Sequence, residues 1–180
     1  NREKGILQFS LNAAENNAKI VRQFQGGTVI NAVPSSAQAD ICCTEQDIAL
    51  LKKACEHVKG HFTFTENEGG VVIHSQGKAS HAMQPEEGFN AVTHLASLLF
   101  QVFTAEQLGD ILTFIHEQIY TQCNGELLGI AQTDEPSGAL TCNVGKVEIF
   151  QQKEVVSIDI RYPVTSDGKD IMEHIQSKAS

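Results

Sequence analysis

Along most of this chain apolar and polar residues alternate with a period of two, and in four stretches the period becomes helical. The alternation predicts strands over residues 6–11 and 18–24, joined as a hairpin across the polar loop 12–17. In the second of these Ile20, Arg22 and Phe24 share one face, with Val21 and Gln23 on the other. Gly26-Gly27 breaks the pattern. An extended run over 28–33 follows, and Pro34 biases Val33 away from helix. Strands are expected over 37–43, where Ala37, Ala39 and Ile41 alternate with polar residues, and over 61–65 and 70–75 around a turn at 66–69. Further strands are expected over 140–144 and 147–150 around Gly145-Lys146, and over 155–162 before Pro163. A short one is expected at 127–130, inside the poorly patterned segment 123–138.

Helices begin where capping signals meet an apolar stripe. Thr44 with Asp47 is a capping-box start, followed by Ile48, Leu51, Cys55 and Val58 and closed by Gly60. After Gly88, Val92, Leu95, Leu99 and Val102 fall on one face. Thr104 with Gln107 opens a third helix that buries Leu108, Leu112, Ile115 and Ile119, although Gly109 inside it costs about 1 kcal/mol relative to Ala. The last helix opens between Asp167 and Asp170 and turns Ile171 and Ile175 inward. Residues 37–103 therefore read β-α-β-β-α, most of a split βαβ unit, and the fold class is α+β.

A length of 180 residues with 41% hydrophobic content allows a real core, and the apolar runs fall far short of the roughly 20 residues of a membrane span. Net charge is −9, without a Lys/Arg cluster, which argues against nucleic acid or an anionic membrane as partner. The chain has five cysteines and no Cys-x-x-Cys spacing. Together with the absence of a charged-then-apolar leader at the first residue, this is read as buried free thiols in a reducing cytoplasm.

Three residues carry candidate chemistry. His81 sits in a loop of small residues closed by Pro85 and Gly88, which would leave the imidazole accessible and its direction fixed. Taken alone, a loop histidine is more often a solvated surface residue. Asn31 precedes Pro34 in an extended segment and can point an amide donor into a cleft, or can bond its own turn. Arg161 ends the strand 155–162 and shares a face with Ser157 and Asp159, where it can clamp a carboxylate or pair with Asp159. The other histidines, His57, His61, His74, His94, His116 and His174, are scattered along the chain and are not read as a metal-ligand cluster. The adjacent pair Glu86-Glu87 falls inside the loop between Pro85 and Gly88 and is not read as a catalytic pair.

The motifs Gly77-x-Ala79-x-His81-Ala82 and Pro85-x-x-Gly88-x-Asn90-Ala91, with Asn31-Ala32-Val33-Pro34 after a glycine turn and Arg161-Tyr162-Pro163, resemble one family. It is the M20 zinc metallopeptidases, whose lid domain they match, and especially the PepV-like Xaa-His dipeptidases. The resemblance covers essentially the whole chain and only the lid. It implies two lobes, residues 1–104 and 105–180, each an antiparallel-rich sheet covered by helices in a ferredoxin-like arrangement. It also implies hydrolysis of a dipeptide by a two-zinc site whose ligands belong to a catalytic domain outside these residues. His81 would be the oxyanion donor, Asn31 a second polar donor and Arg161 the anchor for the substrate carboxylate. On this reading the chain is an excised domain that binds no metal and hydrolyses nothing alone. An M20 deacylase lid and a non-enzymatic ferredoxin-like dimerisation module remain as alternatives, because fold alone does not choose between them.

Overall fold

A computed structural model of the chain describes residues 3–13 and 19–179. Its strands are β1 (Gly5–Asn12), β2 (Val21–Gly26), β3 (Ser36–Cys42), β4 (His61–Asn67), β5 (Gly70–Gln76), β6 (Thr133–Asp134), β7 (Gly138–Ala139), β8 (Thr141–Phe150) and β9 (Lys153–Tyr162). The helices are α1 (Glu45–Ala54), α2 (Ala91–Phe100), α3 (Ala105–Leu108), α4 (Asp110–Phe114) and α5 (Gly168–Ala179). This is the α+β class that the patterning predicts.

Seven strands make one sheet in the order β1-β9-β8-β2-β3-β5-β4, antiparallel throughout. The sheet is continuous through both halves of the chain, with β2 beside β8 at the seam. The expected hairpin of the first two strands does not form. β1 pairs instead with β9, from Gly5↔Tyr162 to Asn12↔Val155. Sequence adjacency favours a local pairing, but β9, with Glu154, Val156 and residues 158–161 buried, takes β1 on its free side. A cut after residue 104 would therefore separate β1 from the strand it pairs with. Most of the loop expected over 12–17, and the first residue of the strand expected over 18–24, lie outside the described residues.

Local irregularities explain the remaining differences. A bulge between Val21 and Gln23 shifts the register of β2, so Val21 and Phe24 are both buried while Arg22 is exposed. The strands expected on either side of Gly145 are one strand, β8, whose register shifts between Val144 and Lys146. Gly109 does not sit inside a helix. Its φ of +90° ends α3, and α4 then runs into a π-helical turn over Ile115–Ile119. The helix expected to reach Gly60 ends at Cys55, with its capping box at Thr44 and Asp47 formed. Residues 127–130 form turns rather than a strand, although Leu128 and Ile130 are buried.

The helices cover one face. α2 packs on β2, β3, β5 and β8, burying Val92, Leu95 and Leu99 against Phe24, Ala39 and Ile73. Its start is built by Asn90, whose Oδ1 accepts from the backbone N–H of Val92 and Thr93 while its Nδ2 donates to the Val144 carbonyl at 3.0 Å. One side chain thus caps the helix and ties it to β8. Asn90→Ala is expected to lower unfolding free energy by about 2 kcal/mol, a lost cap plus a lost buried hydrogen bond, as read by urea denaturation. No described helix is long and apolar enough to cross a membrane.

Candidate functional site

Two loops meet on the other face of β8, and the glycines of the sequence make the meeting possible. Gly27 has φ +81°, and a Cβ there would lie 1.9 Å from the Gly145 carbonyl oxygen. The turn after β2 can therefore rest on the β8 bulge only as glycine. From it the chain runs along residues 28–34 and forms an isolated antiparallel bridge, Ala32 with His81. Val33 N–H donates to the Ser80 carbonyl at 2.8 Å, and Ala82 N–H donates to the Asn31 carbonyl at 2.9 Å. Asn31 and His81, fifty positions apart in sequence, are thereby neighbours.

The His81 loop is closed at its base by reciprocal backbone bonds between Lys78 and Phe89, 2.9 and 2.8 Å. A Cβ at Gly88 would meet Ser80 Oγ at 2.6 Å, so the loop closes this tightly because that residue is glycine. Pro85 and Ala82 are buried under it, while the His81 side chain is exposed. Met83 N–H donates to His81 Nδ1 at 2.9 Å. A backbone N–H can only donate, so in the neutral imidazole Nδ1 accepts and the ring proton resides on Nε2. The exposed ring thus offers one directed N–H. Asn31 is exposed too, and its side chain makes no hydrogen bond to a described residue, so its amide is not used up in its own turn.

Arg161 is 7% exposed and Asp159 fully buried. The face of β9 that they share is therefore covered, where the strand pattern suggested solvent. The ion pair is two-pronged: Nε donates to Oδ1 at 2.7 Å and Nη2 to Oδ2 at 3.1 Å. Gln8 Nε2 adds a bond to Asp159 Oδ2 at 2.6 Å. The guanidinium has five N–H groups, and Asp159 occupies its side edge. Among the described residues no hydrogen bond engages Nη1. Pairing with Asp159 and clamping a carboxylate are therefore compatible. Asp159→Ala, which strands a buried guanidinium, is expected to destabilise the fold by about 3 kcal/mol or more in a denaturant titration.

Arg161 lines a cleft of about 630 Å³ together with Ile6, Met83, Gln84 and Ser137. Met83 and Gln84 belong to the loop that carries His81, whereas His81 and Asn31 themselves do not line this cleft. Ser137 is held there by Asp134, whose carboxylate also receives Thr165; these donors keep the Asp134 carboxyl down at about 2.

Two residues the sequence reading missed join these parts. In the β8–β9 register Thr141 lies opposite Arg161 and Asn143 opposite Asp159. Thr141 Oγ1 donates to the Ala82 carbonyl at 3.1 Å. Asn143 Nδ2 donates to the carbonyls of Ala32 and Ile30, at 2.9 and 3.3 Å. Both are buried, and Asn143 Oδ1 has no partner among the described residues, which costs about 1–3 kcal/mol. The available signal is a pair of polar residues at alternate positions of the strand expected over 140–144.

Elsewhere the titratable groups serve the fold. His94 stacks on Phe89 with ring centroids 3.8 Å apart and bonds the Asn90 carbonyl, and burial lowers its pKa. His116 stacks on Phe100 and is likewise lowered by burial. Glu86 and Glu87 are exposed on a 3-10 turn. The five cysteines are free. Cys142 is fully buried, its thiol pushed up to about 12, but Cys42 is exposed, which corrects the expectation that all are buried. Among the described residues no three His, Cys, Asp or Glu side chains group as metal ligands, so they do not fit a metal site.

Comparison with known proteins finds relatives named as dipeptidases. The chain is 31% identical to "Putative dipeptidase YtjP" of Bacillus subtilis over 98% of its length, and 25% identical to "Beta-Ala-Xaa dipeptidase" of Lactobacillus delbrueckii subsp. lactis over all of it. It spans 40% of the length of each. The chain thus corresponds to one part of proteins that carry a dipeptidase name. No protein-family profile matches it.

Proposed function

We propose that this chain is the lid of a zinc-dependent dipeptidase of the M20 type, closest to the PepV-like enzymes. In that reading the lid supplies substrate-binding and charge-stabilising groups to a catalytic domain elsewhere in the parent protein. The observation that supports it is a histidine whose free N–H is fixed on Nε2, in a loop whose Met83 and Gln84 line the same cleft as Arg161. His81 donates to the carbonyl oxygen of the scissile peptide as it gains negative charge, and Asn31 is a second donor beside it. Arg161 holds the free carboxylate of the dipeptide, and Asp159 keeps the guanidinium in orientation. The dipeptidase names of the relatives support the substrate class. The zinc ligands of such an enzyme would lie in its catalytic domain, since the described residues fit no metal site.

The test uses the full-length parent protein, a dipeptide, and the N-acetyl amino acid with the same C-terminal residue. Both substrates carry the carboxylate, so the comparison isolates the free amino end. The dipeptide is expected to be turned over far faster. A preference for the acetylated substrate would give the lid to a deacylase. Turnover of neither would point to a binding or dimerisation module.

A further inference from the structure

We propose that Thr141 and Asn143 are positioning residues that tie the His81–Asn31 pair to the strand register carrying Arg161. The inference rests on the reading of His81 and Asn31 as donors. Backbone bonds already join the two loops to each other, Val33 to Ser80 and Ala82 to Asn31. The ends of the loops already meet β8, Gly27 at Gly145 and Asn90 at the Val144 carbonyl. What ties their centres to β8 is the Thr141 hydroxyl on the Ala82 carbonyl, one residue after His81, and the Asn143 amide on the carbonyls flanking Asn31.

The residue types suit this task. Two carbonyls two residues apart are met by the two hydrogens of a single NH₂ group. A hydroxyl has one hydrogen and a carboxylate none. Asn143 keeps this geometry although its own Oδ1 stays buried without a partner. Thr141 and Asn143 then face Arg161 and Asp159 across the β8–β9 pair. The span between the oxyanion donors and the carboxylate anchor is thus set by adjacent strands rather than by loops.

The test is a double-mutant cycle in the full-length protein, assayed on a dipeptide. Thr141→Val removes the hydroxyl at nearly constant volume. It is expected to lower kcat about tenfold with KM changed less than about twofold, because a donor displaced by a fraction of an ångström is felt when the oxygen becomes charged. Thr141→Ser, which keeps the hydroxyl, should restore most of the rate. In a His81→Ala background Thr141→Val should change kcat clearly less than in wild type, since one of the two donors it positions is gone. Equal losses in both backgrounds, or no loss in either, would overturn the proposal while leaving the lid reading intact. A silent His81→Ala would overturn both. If Thr141→Val does not fold, as judged by thermal unfolding, Thr141→Cys is read on the same cycle with the same criteria.

Discussion

On the proposed reading, His81→Ala in the full-length protein is expected to lower kcat on a dipeptide by about 100-fold or more, with KM changed only modestly. The imidazole donates through Nε2 because Nδ1 is occupied by the Met83 N–H. A ground-state amide oxygen gains little from such a donor. The oxygen of the tetrahedral species gains about 3 kcal/mol, because the donor is already oriented and needs no reorganisation. The loop explains why orientation comes ready made. Its ends are bonded to each other at Lys78 and Phe89, and its centre is bonded to Asn31 and to Thr141. Steady-state kinetics on one dipeptide read this directly. A rise in KM at constant kcat would instead assign His81 to ground-state binding.

Arg161→Ala is expected to act differently. The carboxylate it is proposed to hold would be present in ground and transition states alike, so KM should rise by about 100-fold, the typical loss for a charge-assisted two-point contact. Some kcat is expected to fall as well, because the scissile bond is no longer placed. Removing the guanidinium also leaves Asp159 buried with only Gln8 beside it, so a loss of stability should accompany the kinetic effect. Arg161→Lys separates the two. It keeps the charge near Asp159 but has no flat fork with one edge for Asp159 and one for substrate, so stability should recover further than KM.

The loop that carries His81 is legible in the sequence, and the reason is local chemistry. Glycines at 77 and 88, Pro85 and the small residues around His81 define a loop whose shape depends on its own neighbours. The capping residues Thr44 and Thr104 sit where the structure has them, whereas the Asn90 cap is seen only in the structure. Illegible parts depend on contacts between distant segments. The pairing of β1 with β9 joins residues about 150 positions apart, and no short-range pattern encodes it. The burial of Arg161 and Asp159 follows from loops arriving over β8 and β9 from elsewhere, so alternation within β9 pointed to solvent on that side. Thr141 and Asn143 were passed over because their partners are backbone carbonyls, which leave no trace in residue identity.

The measurement that bears most directly on the account is the ratio of kcat/KM for a dipeptide to that for its C-terminal amide, in the wild-type full-length protein and in Arg161→Ala. The amide keeps the scissile bond and the free amino group and lacks only the charge that Arg161 is held to read. The account predicts strong discrimination against the amide in wild type, about 100-fold, falling to within about fivefold in Arg161→Ala. Equal discrimination in the two proteins would contradict it, because the carboxylate would then be recognised by some other group.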